Sequence, residues 1–296
     1  MVKPAVSLAP VPAEDAPDVA APPRAARVVS VDVVRGAVMV LMALDHVRFF
    51  FTDARFPPED MARTDVALFL TRWVTHLCAP AFVLLAGTSA YLSRGRGCPA
   101  AQLSAYLVKR GLWLVALELT IVGFAWSFVP GSSFAGVIWT LGWSMVVLAV
   151  LVRLPVGWVA AFGVGIVVLH NAFDPAAAGS LWTFVRGTGP VTIPGLGVRY
   201  FVLYSLVPWV GVMALGYALG AVFSWPAEAR RRALVWAGVG MVVWFVVLRV
   251  SNLYGEPAVP SIRGAQGPFA LQTTAGMTLV ALLNVEKYPA SLLYLL

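Results

Sequence analysis

One stretch limits what this chain can become. Val31–Phe51, VDVVRGAVMVLMALDHVRFFF, is long and apolar enough to cross a bilayer, yet it carries Asp32, Arg35, Asp45, His46 and Arg48. A charged residue at the centre of a spanning helix costs about 2.5–3.5 kcal/mol on insertion scales. A helix that keeps several such groups turns them toward other helices or a wet cavity, so they are functional candidates by default. At about 100° per residue, Asp32, Arg35 and His46 share one sector of this helix, and Asp45 and Arg48 share a second.

The remaining sequence reinforces a membrane reading. The 296 residues are 60% hydrophobic and only 12% charged, and the mean hydropathy is +0.83. A soluble domain of this length needs a more polar surface, and a β-barrel would show short alternating segments. The expected fold is all-α: a polytopic integral membrane helix bundle of about 7–8 spans. Spans are expected at roughly 31–51, 66–92, 104–126, 134–152, 156–171, 200–223 and 233–250, with an eighth beginning near Pro289. Residues 1–27, rich in Ala and Pro without periodicity, read as a disordered cytoplasmic tail, and 28–296 as the transmembrane domain. The first span reads as an uncleaved signal anchor. The final apolar run, Ser291–Leu296, is far shorter than the about 20 residues a span needs, so truncation at the C-terminus is expected.

A net charge of +7 invites a nucleic-acid reading, but its distribution argues against one. Arg94, Arg96, Lys109 and Arg110 cluster near one connection and Arg230, Arg231 and Arg232 near another, on one side if the helices alternate. That is the positive-inside pattern, with the N-terminus cytoplasmic. The connections 172–199 and 251–288 then lie outside, and their length and Gly/Pro content suit lids or binding loops. Cys78 lies in an apolar run and Cys98 in a basic loop, so no disulfide is expected. The three histidines lack clustered ligand spacing, and no metal is expected. Gly216 and Gly220 are spaced as GxxxG, which suits close helix packing.

The second span, LFLTRWVTHLCAPAFVLLAG, places Arg72 and His76 on one face. At 1.5 Å per residue Arg72 lies roughly 9 Å below the outer edge, close to the depth of Asp45 and His46, and His76 roughly 15 Å down. Glu118 in the third span is also near the middle. Depth therefore predicts two layers: Asp45, His46 and Arg72 toward the outside, and His76 with Glu118 at the midplane. Pro80 frees a backbone carbonyl and favours a kink toward the same cavity. Structural ion pairing is the competing reading, and it suits Arg35, Arg48 and Arg249 near helix ends, whose long side chains can snorkel. Imidazole titrates near neutrality, which makes His46 and His76 the proton-transfer candidates. His170 reads as an interfacial residue or helix cap.

Five segments carry a family resemblance: SVDVVRGAVMVLMALDHVRFFF, LFLTRWVTHLCAPAFVLLAGTSAYL, KRGLWLVALELTIVGFAW, LVPWVGVMALGYALG and NVEKYPASLLYLL. Together they resemble the bacterial membrane proteins related to heparan-α-glucosaminide N-acetyltransferase, from about residue 28 to the end. The resemblance implies a multi-helix membrane acyltransferase that moves an acetyl group from cytoplasmic acetyl-CoA to a terminal glucosamine on the far side. It also implies a chain that continues past this C-terminus. The family's S-x-D-x-x-R-G signature matches Ser30, Asp32, Arg35 and Gly36. His46 stands where the lysosomal relative has a functional amide, and His76 where it has an acidic residue. The relative's proposed catalytic histidine falls in the loop after the first span; here Thr52–Asp65 has no histidine, and Asp65 is the nearest polar candidate.

The expected function is transfer of an acetyl or other acyl group from cytoplasmic acyl-CoA to an amino-sugar, amine or hydroxyl acceptor on the outer side of a bacterial inner membrane. Acetyl-CoA is the co-substrate, and its phosphates would meet the basic inner face at Arg94, Arg96, Lys109 and Arg110, with Asp32 and Arg35 at the cytoplasmic mouth serving packing or cofactor entry. The catalytic set is His46, Asp45, His76, Arg72 and Glu118, with His46 as base, Asp45 assisting it, and Arg72 or His76 stabilising charge on the carbonyl oxygen. Expected partners are the lipid bilayer, acyl-CoA and a small-molecule or glycan acceptor, with no nucleic acid; a homo-oligomer stays open. The alternative is a proton-coupled transporter using the same His, Asp and Glu groups as a relay, for which no inverted repeat is visible.

Overall fold

The computed structural model describes residues 28–129, 132–172, 180–192, 199–256 and 267–296. The expected tail at 1–27 and parts of the connections 172–199 and 251–288 lie outside the described residues. The charged stretch is one unbroken helix, α1 (Val29–Phe51). The second apolar segment is interrupted: α2 (Val66–Trp73) passes through a 3-10 turn at Val74–Leu77 into α3 (Cys78–Gly95). Pro80 explains the interruption. It has no N–H to give the carbonyl of His76 four residues earlier, and the Tyr294 hydroxyl donates to that carbonyl instead, at 2.9 Å.

The third segment is α4 (Ala100–Leu117), a single π-helical turn at Glu118–Val122, and α5 (Gly123–Ser127). Next come β1 (Ser132–Ala135), α6 (Val137–Leu151) and α7 (Val156–Leu169), which ends in a 3-10 turn at His170–Ala172. The connection that follows holds α8 (Ser180–Val185), β2 (Gly189–Thr192) and β3 (Arg199–Val202). The chain continues as α9 (Leu206–Val222), α10 (Ala227–Ser251), α11 (Ala275–Leu283) and α12 (Leu292–Leu295).

The fold is mostly helical, as expected, but it is not purely so. The three short strands form one sheet in the order β1-β3-β2, with β1 parallel and β2 antiparallel to β3. That pairing takes up residues 132–135, so the helix expected from 134 begins only at Val137. Two helical segments, Val66–Gly95 and Ala227–Ser251, are long and apolar enough to cross a membrane, and α6, α7 with its 3-10 turn, and α9 are shorter apolar helices. α1 has the length of a span, but its ionisable residues remove it from that apolar class.

α9 is apolar on every side, the pattern of a helix buried all round. Trp209, Met213 and Tyr217 are fully buried along it, and it packs against α3, α6 and α7. The α3–α9 crossing depends on missing side chains. A Cβ on Gly216 would collide with the Leu84 carbonyl, and one on Gly87 with the Met213 carbonyl. Thr88 Oγ1 donates to the Gly216 carbonyl across the crossing at 2.9 Å. Gly111 and Gly142 bring α4 and α6 together in the same way.

Residues 284–294 are buried throughout. The segment is moored at many points: His170 Nε2 lies 3.0 Å from the Ala290 carbonyl, Leu292 N–H donates to Asn171 at 3.0 Å, and Ser291 caps α12 through the Tyr294 N–H. Arg249 does not snorkel as expected. Its guanidinium, 3% exposed, donates to the carbonyls of Ala281 at 2.9 Å and Asn284 at 2.7 Å, where α11 leaves acceptors unsatisfied. Glu256, in the loop after α10, faces Arg249 at 3.6 Å and accepts the Glu286 N–H at 3.1 Å.

Two predictions follow from this packing. Gly216→Ala is expected to lower thermal stability in detergent by about 1–3 kcal/mol, since backbone must move. Gly238→Ala, with open space around it, should be neutral or slightly stabilising. Burial pushes the Glu256 carboxyl up to about 7 against the pull of Arg249. A raised folded pKa means its contribution is complete below the unfolded value of 4.5 and is lost as pH rises through about 7. Thermal melts across that window should therefore fall less steeply with pH for Glu256→Gln than for the wild type.

Candidate functional site

Asp45 and Arg48 of α1 meet Arg72 of α2 in one largely buried network. Arg72, 3% exposed, donates from Nη1 to Asp45 Oδ2 at 2.9 Å and Oδ1 at 3.1 Å, and from Nε to Glu59 Oε1 at 3.0 Å. Its Nη1 also reaches Thr75 Oγ1 at 3.3 Å. Arg48 donates to Asp45 Oδ1 at 2.9 Å from the next turn of α1. The expected meeting of Asp45 and Arg72 is thus present. Glu59 is the member that sequence reasoning missed, because it lies in the loop between the spans. Asn284 holds that loop by donating to the Glu59 carbonyl at 2.9 Å. A guanidinium shared by two carboxylates is how a buried charge escapes most of its desolvation penalty.

Beside this network is a cavity of about 450 Å³ whose walls are mainly apolar. Asp45 and His46 of α1, Thr75 and Cys78, Glu118 of the π-helical turn, and Lys287 with Tyr288 bring polar atoms to it. Trp126, Phe134 and residues of α6 close the opposite wall. A cleft with few convergent polar groups and apolar walls is the usual form of a small-molecule site.

His46 is oriented by its own helix. Nδ1 lies 2.7 Å from the Met42 carbonyl, which can only accept, so Nδ1 carries the proton and Nε2 the lone pair. The ring packs against Trp126 with centroids 5.8 Å apart. Asp45, expected to assist His46, instead spends its oxygens on Arg72 and Arg48. Both border the chamber, but as adjacent residues on a helix their side chains diverge.

Glu118 is 2% exposed, and Oε1 accepts the Gly136 N–H at 2.9 Å. A side chain at Gly136 would occupy the space of that carboxylate. The single π turn at Glu118 is a local widening of the kind often found at functional sites. The expected pairing of Glu118 with His76 is absent from the geometry. His76 sits in the 3-10 turn, packs edge-on against Tyr294 with centroids 5.4 Å apart, and does not line the cavity. Pro80 shifts the helix phase at this point, so i, i+4 reasoning from Arg72 no longer holds for His76.

Asp65 is also accounted for differently: its carboxylate caps α2 by accepting the Leu68 N–H at 2.9 Å. Among the basic-face residues, Arg35 pairs with Asp32 at 3.4 Å and donates to Ser89 at 2.7 Å, joining α1 to α3. Arg94 donates to the Val152 carbonyl at 2.6 Å and to the Tyr217 hydroxyl at 3.2 Å, and Arg96 bonds Ser93 locally. Lys109 and Arg110 are exposed on α4. None of these six residues lines the cavity. Lys287 does, although its sequence position suggested only a charge in an outer loop. The available signal was the Glu286–Lys287 pair standing between two apolar runs.

Arg72→Met should be strongly destabilising, by about 3–5 kcal/mol, because Asp45 and Glu59 lose their shared counter-charge in a buried setting. Denaturant titration in detergent micelles checks this, and Asp45→Asn, which leaves the Arg72–Glu59 pair, should cost less.

A family model described as heparan-alpha-glucosaminide N-acetyltransferase, catalytic, matches residues 27–252. No curated protein and no solved structure matches the chain.

Proposed function

Since the chain belongs to the heparan-alpha-glucosaminide N-acetyltransferase catalytic family, we propose that it is a membrane acyltransferase whose reaction chamber is the cavity between α1, α3, the π turn and α6. The observation that carries this reading is the convergence of His46 and Glu118 on one apolar-walled chamber of about 450 Å³. The donor is acetyl-CoA or another acyl-CoA, and the acceptor an amine or hydroxyl, with an amino sugar the first choice. We place the protein in a bacterial inner membrane with its N-terminus cytoplasmic and about seven to eight spans, counting the shorter apolar helices.

His46 Nε2 takes the proton from the acceptor N–H or O–H as its lone pair attacks the thioester carbonyl carbon. Collapse of the tetrahedral intermediate breaks the C–S bond, the electron pair leaves on sulfur, and the His46 imidazolium protonates the thiolate. The Met42 carbonyl keeps the imidazole in the tautomer this requires. Glu118 receives a hydrogen bond from the acceptor and holds it for attack. Asp45 and Arg72 fix the angle between α1 and α2, and His76 positions Tyr294 behind the chamber. Apolar walls exclude water that would otherwise hydrolyse the thioester. Arg96, Lys109 and Arg110, with charge available on the basic face, attract the CoA phosphates, while Asp32, Arg35 and Arg94 shape that face through their bonds between helices.

The test is transfer of labelled acetyl from acetyl-CoA to glucosamine by the full chain in oriented vesicles. His46→Ala should reduce kcat by about 100- to 10,000-fold, and His76→Ala should reduce it less while lowering thermal stability. Absence of transfer by the wild type to amine and hydroxyl acceptors would remove the proposal. An undiminished His46→Ala would remove His46 as base.

A further inference from the structure

We propose that Lys287 is the cation that meets the acyl carbonyl oxygen in the chamber, a position Arg72 cannot fill. The assignment rests on the acyl-transfer reading above and adds a catalytic residue to it. Lys287 lines the chamber, whereas no arginine among the described residues does. Arg72, the stronger candidate from sequence, has turned its charge to Asp45 and Glu59. Those two carboxylates are met by the two guanidiniums of Arg72 and Arg48. Lys287 is a further cation beside that network, attracted through space by Asp45, and no salt bridge to it is found among the described residues.

Its ammonium lies over the rings of Tyr288 and Tyr294, 5.3 and 5.9 Å from their centroids. Aromatic faces support a cation, and of the three donors an ammonium carries one is engaged by the Tyr288 side chain, which leaves donors for a ligand. The side chain is only 7% exposed, so water does not replace a missing anion cheaply. An oxyanion forming in the chamber would complete the electrostatics, and it would do so more strongly in the transition state than in the ground state.

The backbone around Lys287 is fixed before substrate arrives. Lys287 pairs with Ala290 across a tight turn. Tyr288 N–H donates to Glu286 Oε1 at 2.8 Å, and Thr188 donates to the Tyr288 carbonyl at 3.3 Å. A donor held in place costs little reorganisation during the reaction. As the acceptor attacks, the carbonyl π pair moves to oxygen, and a Lys287 N–H donates to it without giving up its proton. When the pair returns, the C–S bond breaks and His46 supplies the proton to sulfur, so Lys287 ends in the state in which it began.

The experiment uses the full chain in vesicles, with acetyl-CoA and glucosamine as substrates. Lys287→Met should lower kcat about 100- to 1,000-fold with the acetyl-CoA KM little changed, and Lys287→Arg should keep most of the activity. An ammonium can deprotonate at high pH and a guanidinium cannot, so Lys287→Arg should also remove a basic limb from the kcat profile. The charged and titratable groups around Lys287 are Asp45, Arg72, Cys78, Tyr288 and Tyr294, with His46, Glu118 and Tyr204 across the chamber, and all are unchanged in that variant. A second readout needs no turnover: S-acetonyl-CoA, an unreactive ketone analogue, should protect Lys287 from reductive methylation, read by mass spectrometry. Wild-type turnover with a fully active Lys287→Met, or turnover without protection, overturns the Lys287 assignment alone. Accumulation of N-acetyl-Lys287 on the catalytic timescale overturns it in favour of a nucleophile. Neither turnover nor protection overturns the acyltransferase reading itself.

Discussion

The structure depends on the sharing of Arg72 between Asp45 and Glu59. A buried guanidinium needs compensation worth several kcal/mol, and here it comes from two separate places, α1 and the loop that follows it. The pairing sets the crossing of α1 and α2 and pins the loop between them, which Asn284 secures from the far end of the chain. It also leaves His46, one residue from Asp45, facing the chamber. Electrostatic balance at the network rests on Asp45, and the proton transfer proposed for the chamber on its neighbour His46.

A second constraint is the segment from Asn284 to Tyr294. It is short, buried and tied to the 3-10 turn between α2 and α3, the 3-10 turn that ends α7 and the connection before β2 by side-chain bonds. It closes the chamber with Lys287 and Tyr288, and Tyr294 supplies the hydrogen bond that Pro80 denies to His76. The helix defect in the second segment and the chamber floor are therefore one feature. Pro80 removes a donor, the helix tightens, and the freed carbonyl becomes the anchor for the closing segment.

Much of the helical frame was legible because apolar runs near spanning length leave little choice of secondary structure. The Asp45–Arg72 meeting was legible from depth alone, since both residues lie in regular helix up to that point. In the turn before Pro80 the same arithmetic failed for His76, because the 3-10 geometry of Val74–Leu77 changes the phase. Asp65 is the nearest polar residue to the missing loop histidine, although an Asp directly before VALFL is also the pattern of a helix cap. The small sheet was missed because each strand has four residues and its pairing is long-range. Glu59 and Lys287 lie outside periodic segments, where hydropathy says nothing about which side chains are buried. Gly136 shows the same limit: only its position against Glu118 gives its lack of a side chain a meaning.

The chamber joins these elements, and its content is the central claim. A structure of the full chain with S-acetonyl-CoA bound would test it most directly. The account predicts the ketone carbon inside the cavity of about 450 Å³, with His46 and Lys287 both reaching the reacting end of the ligand. A ligand bound elsewhere, with the chamber occupied by lipid or closed by α1, would contradict it.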